Sequence, residues 1–168
     1  MPSVLKHIGR YIAKLRHSRG FGVHSPFAYR FITETLRQEH IYYAYHQMRT
    51  PQERLIFRVV LALRPATVAL EGMPSARKAV RYAMPSARFT DAIHAEMIIA
   101  DGHFSALEFH PANGNLPHLL LLGNAPGATR SQWREAMDCG MTFDNGRGSF
   151  VAVSRPDLPR QDFDISFI

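Results

Sequence analysis

Three short polar clusters in this chain carry groups able to do chemistry or to hold a ligand, and each follows an apolar run. "AEMIIADGHF" carries Asp101, Gly102 and His103 before its final Phe104, "TVALEG" ends in Glu71 and Gly72, and "HLLLLGN" in Gly123 and Asn124. A carboxylate two residues from an imidazole is an acid–base arrangement. On an extended segment alternate residues share a side, and Asp101 would hold His103 in one tautomer and raise its basicity. The plainer reading is an aspartate capping a turn beside an exposed histidine.

Other chemistries fall away on residue types and spacing. His94-Ala95-Glu96 has the first half of a zinc deaminase signature, but the second half needs two cysteine ligands and Cys139 stands alone. His103, His110 and His118 fit no helix or finger spacing, so they read as loop histidines and no metal is expected. There is no G-x-S-x-G elbow. Trp133, one helical turn from Met137, reads as core packing. Tyr42, Tyr43 and Tyr45 would either cover a ligand or seal a junction between helices and sheet.

The elements that must position these groups follow from periodicity and punctuation. Ser25 before Pro26 starts a helix with Phe27, Phe31, Ile32 and Leu36 on its apolar face, and His24 is expected to hydrogen-bond within that turn. "TPQE" at Thr50 starts another with a capping box, carrying Leu55, Ile56, Val59, Val60 and Leu63 until Pro65 ends it. "TVALEG" reads as a buried strand, Ser75 to Ala83 as a helix and "ARFTDA" as a short strand. Met97 to Ala100 and "HLLLLGN" read as buried strands, and "TRSQWREAM" as a helix. Runs 148–154 and 163–168 read as a closing antiparallel pair around "RPDLPRQD". Helices alternating with single buried strands predict an α/β fold with a largely parallel sheet. In such sheets ligands bind beyond the strands' carboxyl ends, where the three clusters fall.

Composition bounds the rest. The 168 residues, 46% apolar and 20% charged, suit one domain that needs neither disulfide nor metal to fold. One cysteine fits a reducing compartment, and the expected localisation is cytoplasmic. Lys6, Arg10, Lys14, Arg16, Arg19 and Arg30 all precede the first acid, Glu34, and the remaining fourteen bases match fourteen acids. The net charge of +6 is therefore a basic arm on a balanced domain, which weakens the case for a broad nucleic-acid face and leaves an anionic partner for residues 1–30. Val4, Leu5, Ile8, Tyr11, Ile12 and Leu15 make that arm an amphipathic helix. Its acid-free, Arg-rich character also resembles an organellar transit peptide, with an ordinary surface helix as the simpler reading. The longest uncharged run, 109–129, is broken by Pro111, Pro117 and Pro126, so no membrane span is expected.

"GVHSPFAYRFI", "YYAY" and "ERLIFRVVLALRP", followed by "LLLLGNAPGATRSQWREAM", "SFVAVSR" and "LPRQDFDISFI", resemble in order and spacing a bacterial group of class I S-adenosylmethionine-dependent methyltransferase-like proteins with an N-terminal GVHSPF motif. The resemblance covers most of the chain. It implies a Rossmann-like core over residues 49–168, reduced and preceded by an N-terminal helical extension over 1–48, all within a single domain 1–168. It also implies S-adenosyl-L-methionine over the end of the first strand, with Glu71, Gly72, Asp101 and Gly102 as the cofactor-binding positions and Asp101 and His103 as the catalytic ones.

The departures from the family pattern lie at that site. The family's glycine-rich turn lets backbone approach the cofactor, whereas "ALEGMPSA" offers one glycine. Two alignments compete: Glu71 and Gly72 are the remnant of the first-strand turn, or Glu71 is the ribose-binding acid after the second strand. One strand–helix unit fits between Gly72 and Asp101 where the full fold needs two, a segment is missing between "YYAY" and "TPQE", and Gly123 and Asn124 stand where the family has acids. The expectation is a methyltransferase-like protein of unknown acceptor with a degenerate cofactor site. The alternatives are a non-catalytic binding module, or attachment to an anionic surface or nucleic acid through the basic helix. A homodimer is expected from apolar surface left by the missing segments.

Overall fold

Ser25 and Pro26 act as their types dictate. The Ser25 hydroxyl accepts the Ala28 N–H at 3.3 Å, and Pro26 takes the first helical position, where no donor is needed. The computed structural model describes residues 25–38, 40–106, 109–111 and 114–167. The expected basic helix and the His24 turn lie outside them. Helix α1 runs Pro26–Arg30 and continues as a π-helical turn, Phe31–Leu36, in which the Arg37 N–H reaches the Ile32 carbonyl at 2.9 Å. The last carbonyls of any helix lack partners within it. Arg58 of the next helix supplies them, donating from Nε to Thr35 O at 2.6 Å and from Nη2 to Leu36 O at 3.2 Å.

Helix α2, Pro51–Leu63, opens with the expected capping box, both bonds between Thr50 and Glu53 being 3.1 Å. It stops where Arg64 turns left-handed, φ 50°, ahead of Pro65. A 3₁₀ turn, Tyr43–Gln47, precedes it. There Tyr42 and Tyr45 pack edge-on against Phe57, and the Tyr45 hydroxyl accepts from Arg58. Tyr42 and Tyr45 thus seal the junction between helices, while Tyr43 is 92% exposed.

The strands are β1 (Thr67–Glu71), β2 (Arg88–Phe89), β3 (Met97–Asp101), β4 (His118–Leu122), β5 (Met141–Asp144), β6 (Phe150–Val153) and β7 (Gln161–Asp164). They form one sheet in the order β2-β1-β3-β4-β6-β5-β7, in which β6 alone runs against the others. Helix α3, Ala76–Ala83, links β1 to β2, and α4, Gly127–Ala136, links β4 to β5. The fold is Rossmann-like, a largely parallel sheet with flanking helices and an antiparallel C-terminal part.

Strand alternation divides the core. Val68, Ile99, Leu120, Val151 and Phe143 point to the face covered by α1, α2 and α3, whereas Ala69, Ile98, Leu119 and Phe150 point to the other, where they share a cluster with Trp133 of α4. Phe31, in the π-helical continuation of α1, meets Phe143 at 5.1 Å, so residues 26–36 pack into the same core as the sheet.

The closing pair needs correction. Runs 148–154 and 163–168 do not pair with each other. β6 pairs with β5, a strand not expected from the sequence, and β7 lies parallel to β5 with Thr142 opposite Asp162. The reason is the turn at 145–149: the Asn145 side chain accepts from the Arg147 and Ser149 N–H groups at 2.7 and 3.0 Å, and Gly146 and Gly148 take positive φ. That turn folds "MTFD" back onto "FVAV" and leaves β7 only the outer edge of β5.

Replacing Arg58 with methionine is expected to strand the Thr35 and Leu36 carbonyls and lower unfolding stability by roughly 1.5–3 kcal/mol. Urea denaturation measures it, and a loss under about 0.5 kcal/mol would show these bonds to be dispensable.

Candidate functional site

The sheet's topology brings two of the three clusters side by side. From β1 the chain leaves through α3 to β2 on one side, and from β3 it leaves to β4 on the other, so the ends of β1 and β3 flank a topological switch point. Glu71 pairs with Ala100, which sets Gly72 next to Asp101. These are the positions the sequence singled out.

Their contacts are with each other. Gly72 is left-handed, φ 69°, and a Cβ built on it would lie 2.9 Å from Asp101 Cγ and closer still to Oδ2. The Asp101 carboxylate therefore lies across Gly72. Its Oδ1 accepts the His103 backbone N–H at 3.0 Å, closing a turn of the Asx type. The bond runs to the amide of His103, and the imidazole is exposed.

Gly102 is buried for a different reason. A Cβ there would meet Ala125 N at 2.6 Å, and one on Gly148 would meet the same atom at 2.9 Å. The backbone of Asn124 and Ala125 is gripped between these two glycines, and Ala125 N–H donates to Gly148 O at 2.9 Å. Close approach at the ends of β3 and β4 is thus used by the chain's own loop.

The remaining candidates separate. His118 opens β4 at the opposite end of the sheet from His103, and His110 is exposed. Among the described residues no three His, Cys, Asp or Glu side chains gather in a metal-holding group. His118 Nδ1 accepts the Ser154 N–H at 3.1 Å. Burial, and next the Arg155 charge, push its pKa down from 6.5 to about 4 against the opposing pull of Glu96. Asp91 bonds His94 Nδ1 at 2.7 Å, which holds its carboxyl below the ordinary value, and Glu96 accepts the Ala66 N–H at 2.7 Å. Trp133 is 1% exposed, donates to Phe104 O at 2.9 Å and stacks on the Phe104 ring.

Two charged clusters were missed in the sequence. On one, Arg130 and Arg134 of α4 ion-pair with Asp144 of β5 and Asp164 of β7, tying the outer strands to the helix. On the other, Arg37, Arg54 and Arg58 line a cavity with Gln38 and Ser166. Only the four-residue spacing of Arg54 and Arg58 could have signalled it, because Arg37 and Ser166 come from distant segments.

No family model matches this chain, and neither does any curated protein or solved structure.

Two measurements test the geometry. His118 carries a folded pKa below its unfolded one, so the unfolded chain takes the proton first as pH falls. Stability should be full above pH 6.5 and fall by roughly 2–3 kcal/mol as pH drops toward about 4. His118→Asn, which keeps an acceptor for Ser154, should flatten that decline. Gly72→Ala should cost about 1–3 kcal/mol, and Asp101→Ala in the same chain should recover part of it. A double-mutant cycle by denaturation reads the coupling, and additive effects would mean the two groups do not meet.

Proposed function

We propose that this chain is a shortened, methyltransferase-like protein in which the fold serves as a binding module and methyl transfer is not performed. The observation that carries the reading is the Asp101 carboxylate lying across Gly72, over the end of β1 where the resemblance would put S-adenosyl-L-methionine. A nucleoside approaching that turn meets a charged side chain already bonded to the His103 amide. The grip of Gly102 and Gly148 on Asn124 and Ala125 supports the same reading, since it fills the adjoining strand ends with backbone. The fold alone implies no activity.

The neighbours of β1 bear on the competing alignments. In a doubly wound sheet the first strand lies next to the fourth across the switch point. The resemblance aligns Asp101, Gly102 and His103 with the segment after the family's fourth strand, and on that alignment β1 beside β3 favours Glu71 and Gly72 as the remnant of the first-strand turn. In the catalytic alternative Asp101 and His103 would be the acid–base pair. That requires Asp101 to leave Gly72 and turn to the imidazole.

The cytoplasmic localisation and the homodimer belong to the same proposal. No helix among the described residues is long and apolar enough to cross a membrane. The sheet ends at two-residue β2, with Tyr82 of α3 and Ile93 of a 3₁₀ turn at Ala92–His94 nearly half exposed, the side where the missing strand–helix unit would lie.

Calorimetry of the purified protein with S-adenosylmethionine and S-adenosylhomocysteine is expected to give no heat, and no thermal shift, at millimolar ligand. Micromolar binding weakened by Glu71→Ala would overturn the reading of a closed cofactor site and favour the enzyme.

A further inference from the structure

The cavity of about 340 Å³ lined by Arg37, Arg54 and Arg58 lies on the other half of the sheet from the β1–β3 cleft. Ser166 and Phe167, which line it, follow β7, and Pro51 is the first residue of α2. It therefore opens at the carboxyl end of the outer strands, beside the positive end of a thirteen-residue helix. Glu53, the acid in that helix's first turn, is turned to the Arg49 and Thr50 amides. No acidic side chain lines the cavity among the described residues.

The Arg54 and Arg58 guanidinium groups, one helical turn apart on the wall of one small cavity, repel each other unless something negative lies between them. Neither Arg54 nor Arg58 makes an ion pair among the described residues. Arg58 is instead held by neutral acceptors, the Thr35 and Leu36 carbonyls and the Tyr45 hydroxyl, and Arg54 lies over the Tyr45 ring at 5.4 Å. Their charge is thus oriented without being neutralised. Gln38 and Ser166 add neutral hydrogen-bonding groups, and Leu36 and Phe167 an apolar wall.

We propose that this cavity binds a small molecule bearing a phosphomonoester. A dianion answers several cations at once, and forked guanidinium donors suit tetrahedral phosphate oxygens. The volume admits a phosphate with a sugar-sized body, near the lower end of small-molecule sites. This inference does not depend on the state of the β1–β3 cleft, so the two are tested apart.

The probes are ribose 5-phosphate, inorganic phosphate, ribose and succinate, titrated by calorimetry at low salt. Expected are binding of ribose 5-phosphate below millimolar Kd, weaker binding of inorganic phosphate, no binding of ribose, and at least about tenfold loss in Arg54→Gln and in Arg37→Gln. Asp101→Ala should leave the affinity unchanged. Circular dichroism confirms that the variants are folded, and Arg58 is left intact because it supports α1. No binding of either phosphate at millimolar concentration, equal affinity for succinate, or affinity unaltered in both arginine variants would overturn the proposal.

Discussion

The contact on which most of this structure depends is the approach of one backbone to two others. Asn124 and Ala125 pass between Gly102 and Gly148 at separations that leave no room for a Cβ on either glycine. That single contact ties the exit of β3, the exit of β4 and the entry to β6. Ala125 N–H to Gly148 O adds the hydrogen bond that keeps the buried amide satisfied. Because α4 begins two residues later, its Trp133 is delivered onto the Phe104 ring, and Arg130 and Arg134 reach Asp144 and Asp164. A side chain at Gly102 or Gly148 would displace all of these together.

The same economy of space shapes the candidate site. Glycine after a strand in an α/β sheet can admit a ligand or admit the protein itself. Gly102 packs against the β4 loop, and Gly72 lies under the Asp101 carboxylate. At the switch point the Asp101 carboxylate accepts the His103 amide. Beside the outer strands Arg54 and Arg58 make no ion pair among the described residues, and neutral acceptors and an aromatic ring fix the cations in place.

Several elements could be read directly from residue types. Ser25-Pro26 and Thr50-Pro51 gave helix starts because capping is chemistry within four residues, and "TVALE", "MIIAD" and "HLLLL" gave buried strands because a parallel sheet covered on both faces tolerates little else. β5 was missed because "MTFD" is four residues long and carries no stronger signal than its neighbours, although the Asn-Gly step after it is a hairpin signal in its own right. β7 was paired with the wrong strand because pairing is decided by competition for an edge, which no local pattern records. At the site, the proximity of Glu71, Gly72 and Asp101 was legible from the rule that ligands gather at strand ends. The direction in which Asp101 turns was not.

By itself the sequence determined the alternation of helices and strands, the two capped helix starts, the concentration of excess charge before Glu34 and the positions of the polar clusters. These depend on residues near one another along the chain, where caps, periodicity and backbone preference act. Tertiary structure alone decided that β6 enters between β4 and β5, that the Asp101 carboxylate covers Gly72, and that Arg37, Arg54 and Arg58 meet across a cavity. Each of those joins segments far apart in the chain, so it is fixed by which surfaces exclude water together and by where a backbone without a Cβ can pass.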